Sequence, residues 1–331
     1  SLSVEQLEQQ GLTYLAEWKY QKAYQCFSDA LNYYKECQHS LGIANQLKHL
    51  GDLYLSVQML DKAQTSYHQA LLLFKDLEDR EHSIQTLINL SRSYLTHDVN
   101  KAWEFGEQAL TMATECQKPE LLDEALFNTA WLYFELQQYK EALRTYIKIR
   151  DMSHHKGHIS QKIRVLIQIA LCYQQLQEGN RVIQTLKEAQ HLAQQQNDLK
   201  NLAKIFSQFG YYFDEHQQFE KALEHYEKAL ILYQNQPNIF GELAMLEVIG
   251  CIHLNQNAVE KALLYYQRAL ELSQMIENPY LQSETLLNLA LIYLKQKNYV
   301  QATQFYEEAL KFKRSLKEVA GLMETLLGLG M

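Results

Sequence analysis

Small and apolar residues recur along the chain at helical spacing and with a long period. A small residue followed three positions later by a ring appears at Gly11/Tyr14, Gly51/Tyr54, Ser91/Tyr94, Ala130/Tyr133, Ala170/Tyr173, Gly210/Phe213, Gly250/His253 and Ala290/Tyr293. Successive small positions lie 40 residues apart, except for one step of 39 whose missing residue falls between Tyr94 and Ala102. A second pattern follows each first one. Its cleanest copies are Tyr20-Ala23-Phe27-Ala30, Phe219-Ala222-Tyr226-Ala229 and Tyr299-Ala302-Tyr306-Ala309. Spacings of three and four put these side chains on one helical face. A ring facing a methyl group lets neighbouring helices interlock. Each copy therefore predicts a helix A, a short turn and a helix B, eight times over, with no β-sheet.

Composition agrees. Only 3 prolines and 12 glycines occur in 331 residues, too few for the turns of a β-rich chain. All three prolines, Pro119, Pro237 and Pro279, fall between repeats, where they break no helix. Two repeats depart from the pattern: Gly106 stands where most copies carry a ring, and the fifth has Gly179, Val182 and Leu186. The helix B rings Tyr20, Tyr67, Tyr146, Tyr226, Tyr266 and Tyr306 are expected to be packing residues.

The order small-x-x-Tyr, then Ala-x-x-x-Tyr-x-x-Ala, resembles the tetratricopeptide repeat over essentially the whole chain. The familiar repeat has about 34 residues; the longer form here is similar to that of Rap-type regulators, kinesin light chains and spindle-orientation scaffolds. The resemblance implies an all-α fold: a right-handed α-solenoid, or superhelix, of tandem helix-turn-helix units. Residues 1–331 would form a single solenoid, with repeats near 4–41, 42–81, 82–120, 121–160, 161–200, 201–240, 241–280 and 281–320. Residues 321–331 restart the pattern as the first helix of a ninth repeat. Either the chain is a piece cut mid-repeat, or this helix docks on the eighth repeat or on a second chain, a route to self-association.

Counting from the small residue of helix A, offsets −4, 0 and +3 are apolar or small and form the core face. At about 100° per residue, offsets −6, −2, +1 and +5 fall on the opposite side. In the family this side lines the inner groove, where ligands lie. Offset −2 reads Gln9, His49, Asn89, Asn128, Gln168, Gln208, Val248 and Asn288. Amides both donate and accept, so a ladder of them can grip the backbone of an extended peptide. The fourth repeat adds the rings Phe127, Trp131 and Phe134, and its neighbours add Ile167, Leu171 and Tyr211. The cations Arg92, Arg164 and Lys204 lie nearby. The expected peptide-binding site is thus Asn89, Arg92, Phe127, Asn128, Trp131, Phe134, Arg164, Gln168, Lys204, Gln208 and Tyr211, with Trp131 and Phe134 as exposed anchors.

Charge and chemistry narrow the function. The net charge of −8, and a groove face where acids outnumber bases, disfavour nucleic acid. No apolar run reaches the ~18 residues of a membrane span. Five scattered cysteines without a CxxC pair suit reduced thiols and a cytoplasmic setting. No phosphate loop, catalytic triad or zincin signature occurs, so no enzyme activity, catalytic residue or cofactor is expected. His154, His155 and His158 lack supporting Cys or acidic ligands, so no metal site is assigned. The reading is a protein-protein interaction scaffold whose groove takes a peptide or helical segment of a partner. The alternative is a ligand- or peptide-sensing regulatory arm of a larger signalling or transcription-regulating protein, its effector domain outside this chain.

Overall fold

The computed structural model describes residues 3–17, 19–57, 59–152, 159–236, 238–275 and 279–328, with side chains for all of these but 279–280 and 316–328. Among the described residues there are sixteen α-helices and no strand. In A/B order they are α1 (Val4–Ala16) and α2 (Tyr20–Glu36), α3 (Ser40–Ser56) and α4 (Leu60–Asp76), α5 (Arg80–Tyr94) and α6 (Val99–Glu115), and α7 (Pro119–Glu135) and α8 (Tyr139–Asp151). They continue with α9 (Ile159–Gln175) and α10 (Gly179–Gln195), α11 (Leu199–Glu215) and α12 (Phe219–Asn235), α13 (Ile239–Asn255) and α14 (Val259–Met275), and α15 (Pro279–Lys295) and α16 (Tyr299–Gly328). Helices pack on their neighbours in sequence, both within pairs such as α3–α4 and between pairs such as α4–α5. The chain is an all-α solenoid of helix pairs. Consecutive A helices also touch, at α1–α3, α3–α5, α5–α7 and α9–α11. Two compact units result, Ser1–Ile149 with Val319–Met331, and Arg150–Glu318.

Several turns among the described residues stop a helix without glycine. Among the described residues nine that are not glycine have positive φ, Gln38, Gln137, Gln177 and Gln217 among them, each just past a helix end. At α2, Gln38 N–H donates to Lys35 O at 3.1 Å and His39 N–H to Tyr34 O at 2.9 Å. That pair of bonds is a Schellman motif, which satisfies carbonyls the helix leaves open. Some of the following helices, α5 and α11 among them, open on a side-chain cap. Asp79 accepts from His82 N–H at 3.1 Å, and Asp198 from Asn201 N–H at 3.1 Å. Pro119 and Pro279 stand first in α7 and α15, where a missing N–H breaks no helical bond. Pro237 lies outside the described residues.

The period-40 pattern has a direct steric cause. A Cβ at Gly51 would meet the Tyr67 ring at 2.6 Å, and one at Gly210 the Tyr226 ring at 2.4 Å. The small residue of helix A exists to admit the ring of helix B. In the third repeat the roles are reversed: a Cβ at Gly106 would come within 3.1 Å of Leu132 Cδ1, 3.2 Å of Ser91 Oγ and 3.5 Å of Asn128 Nδ2. Removing the ring there makes room for Leu132 as well as for Ser91 and Asn128.

Tyr67, Tyr146, Tyr226 and Tyr266 are buried as expected, and Tyr20 is half-buried. Tyr306 departs, at 37% exposed. Its counterpart Tyr266 is covered by Leu289 and Ile292 of the following A helix, α15; among the described residues no A helix follows α16. Helix α16 itself runs uninterrupted from Tyr299 to Gly328, through the residues expected to open a ninth repeat.

Candidate functional site

Contact between consecutive A helices brings offset +1 of one repeat against offset −2 of the next. In the first unit both positions are polar, and they bond to each other. Asn89 Nδ2 donates to Asp52 Oδ1 at 3.0 Å, and the Tyr67 hydroxyl donates to the same oxygen at 2.6 Å. Burial pushes the Asp52 carboxyl above its usual range, with Lys48 Nζ at 3.6 Å opposing. One repeat on, Arg92 Nε donates to Asn128 Oδ1 at 3.1 Å, and Asn128 Nδ2 donates to Ser91 Oγ at 3.1 Å. Ser91 in turn donates to Ala102 O at 2.7 Å.

Asn128 is fully buried, not the solvent-face residue expected. The A helices approach closely enough to close over it, and Gly106 leaves the space beneath. The three rings of the fourth repeat also fail to form an exposed anchor, since each is only partly accessible. Phe127 packs edge-on against Tyr146 with centroids 5.2 Å apart, and Phe134 does the same with Tyr139 at 5.2 Å. Trp131 lies against the core of the first unit, with the Arg92 guanidinium 5.3 Å from its ring. Offsets −3 and +4 face the helix B of their own repeat, which the assignment to a groove overlooks.

The second unit leaves the same positions differently disposed. The starts of α9 and α11 are tied in register, because Ser160 Oγ donates to Asp198 Oδ2 at 2.9 Å. Five residues then run along one stripe of α11: Lys200, Lys204, Gln208, Tyr211 and Glu215. All are exposed except Gln208, which is half-buried. The matching stripe on α9 is Ser160, Arg164, Gln168, Leu171 and Gln175. Ile167 is buried and takes no part.

Burial, and then the like charges of Lys200 and Arg164, hold the Lys204 ammonium below the usual lysine range, with Asp198 opposing. Tyr211 is 43% exposed, and its hydroxyl donates to Glu215, which pushes the phenol upward. Glu215 also accepts from Gln174 Nε2. A recess of about 580 Å³ opens here, lined by Gln174, Gln175, Tyr212, Glu215 and His216 among others. Opposite Gln208, offset +1 is the apolar Leu171, and Gln208 Oε1 is buried without a partner. His49 repeats this case: its opposite is Leu12, and its Nδ1 is likewise buried and unpaired.

Lys200, Gln175, Glu215 and Ser91 are not among the site residues expected from sequence. Their signal lies in the pairing of +1 with −2 across neighbouring repeats, and in the i, i+4 continuation of the stripe. His154, His155 and His158 lie outside the described residues. No helix among the described residues is long and apolar enough to cross a membrane.

Family models of the tetratricopeptide repeat match residues 208–274 and 242–315. The chain carries tetratricopeptide repeats. Solved structures of this kind span nearly all of it. Yeast Tom70 is 16% identical with a TM-score of 0.69, over 98% of this chain and 64% of that one. The apo quorum sensor NprR from B. thuringiensis is 14% identical with a TM-score of 0.59, over 95% of this chain and 89% of that one. A Rap protein complexed with competence and sporulation factor is 14% identical with a TM-score of 0.57, over 92% of this chain and 88% of that one. At such identities the likeness is one of fold. No curated protein matches in sequence.

Proposed function

We propose that this chain is a non-catalytic interaction module, and that the A-helix face of α9 and α11 binds an extended segment of a partner protein. The observation that carries the reading is the contrast between units. Asn89, Arg92 and Asn128 are engaged in internal hydrogen bonds. On α9 and α11, by contrast, the cation Lys204 and the ring Tyr211 are exposed, and Gln208 has a carbonyl oxygen with no donor. The terminal amide torsion of a glutamine is soft. Rotation can offer that oxygen to a peptide N–H, while a neighbouring N–H takes the peptide carbonyl. Tyr211 supplies flat apolar area with a polar tip, a common hot-spot chemistry. That a Rap protein of the same fold was solved with competence and sporulation factor supports the reading.

The test is an array of random twelve-residue peptides probed with the whole chain. Bound peptides are then titrated against Tyr211→Ala, Gln208→Ala and Arg92→Ala. Affinity should fall about tenfold or more for Tyr211→Ala, the scale of a hot spot at about 1–2 kcal/mol. It should stay within about twofold for Arg92→Ala, below about 0.5 kcal/mol. The reverse order would move the site to α5 and α7, and an array with no bound peptide would remove the peptide-binding reading.

A further inference from the structure

The charges on α11 run against its own dipole. Lys200 stands in the first turn, where the N–H groups already make the helix positive, and the one acid at that end is the N-cap Asp198, whose carboxylate is taken up by Asn201 and Ser160. Lys204 follows one turn later, beside Arg164 of α9 at the same repeat position. Glu215 is the last residue of α11, at its negative end, with Asp214 beside it. Burial raises the Asp214 carboxyl, and repulsion from Glu215 raises it further. Beyond the Asp198 cap, the placement of Lys200, Lys204 and Glu215 does not stabilise the helix. Elsewhere along offset −6 the residues are Glu5, Asn45, Gln85, Glu124, Ala244 and Glu284, so the cations are confined to this stretch.

A ligand of opposite polarity relieves both ends at once. From Lys204 to Glu215 the helix rises about 16 Å, at ~1.5 Å per residue. An extended chain covers that length in about five residues, at ~3.3 Å each. The stretch between holds Gln208 and Tyr211, which suit backbone and an apolar side chain.

Building on the peptide-binding reading above, we propose that the bound segment is itself charge-separated: a carboxylate over Arg164 and Lys204, and a basic side chain at Glu215, about five residues apart. Glu215 keeps capacity for this, because a carboxylate accepts at more sites than Gln174 and Tyr211 occupy.

Four synthetic peptides share a Leu-Gln-Leu-Gln centre and differ only in the flanks: acid–base, acid–acid, base–base and Ser–Ser. Fluorescence anisotropy at low salt, where surface charges are least screened, measures each against the whole chain. Wild type should bind acid–base at least tenfold more tightly than the other three. Glu215→Lys should transfer the preference to acid–acid, and Lys204→Glu should weaken every acid-bearing peptide by tenfold or more. Glu215→Gln keeps the size and the neutral contacts, and it should erase the discrimination without the inversion. Circular dichroism confirms that each variant is folded. An unchanged rank order in Glu215→Lys overturns the proposal. Equal binding of all four peptides overturns it too, while leaving peptide binding intact; binding of none overturns both.

Discussion

On α5 and α7, Asn128 gives both halves of its amide to neighbours, Oδ1 to Arg92 and Nδ2 to Ser91. On α9 and α11, Gln208 holds the same repeat position, and its Oε1 has no partner. Three of these four helices have 17 residues and α5 has 15. What differs is the pair one repeat earlier at offsets 0 and +1, Ser91 and Arg92 in the first case and Ala170 and Leu171 in the second. A repeat position is therefore not a site by itself. Its availability is set by what stands opposite it on the preceding A helix, and the same rule explains why His49, opposite Leu12, is left with an unpaired Nδ1.

The largest expected effect is at His49, because there the unpaired group is also titratable. Burial, then the charges of Lys48 and His82, pull its imidazole down from 6.5 to about 4. A folded pKa below the unfolded one means stability is complete above pH 6.5 and falls, as pH drops, while protons load the unfolded chain. The loss levels off near pH 4 and amounts to about 3 kcal/mol at ~1.4 kcal/mol per pH unit. Urea melts of wild type and His49→Phe at about pH 7, above that window, and at about pH 4.5, near its lower end, measure it. The difference between the two proteins should change with pH in that direction; a pH-independent difference would mean His49 is as well solvated as a surface histidine.

A smaller effect separates the two amides. Asn128→Ala removes from a buried site the bonds to Arg92 and Ser91 and should cost about 1–3 kcal/mol. Gln208→Ala removes a carbonyl that is already unsatisfied, and should change stability by less than about 0.5 kcal/mol. Equal losses in a urea titration would break the comparison between the units.

Most of the architecture is legible in the sequence because its cause is local. Gly51 and Gly210 repeat at period 40 since each must admit Tyr67 or Tyr226, and that steric demand writes itself into every copy. The candidate site is legible only in part. Helical periodicity tells which side of helix A faces away from helix B, but not how nearly the next A helix closes over it. Periodicity therefore points Asn128 at solvent although it is buried. It points Phe127 and Phe134 into a groove although each packs on a ring of its own repeat. Tyr306 looks like Tyr266 in pattern and differs in burial, because the pattern does not encode what covers a helix from outside. The helix ends carry little signal either, as Gln38 and Gln137 take the left-handed turn that glycine usually marks.

The claim that the +1 residue decides the fate of the −2 residue is tested most directly by paired double-mutant cycles. One cycle combines Arg92→Ala with Asn128→Ala, and the other Leu171→Ala with Gln208→Ala, each read by urea unfolding at neutral pH. The first pair should couple by about 1–2 kcal/mol, since removing either side chain breaks the bond between them. The second pair should be additive within about 0.5 kcal/mol. Equal coupling in the two cycles, or stronger coupling between Leu171 and Gln208, would contradict the account.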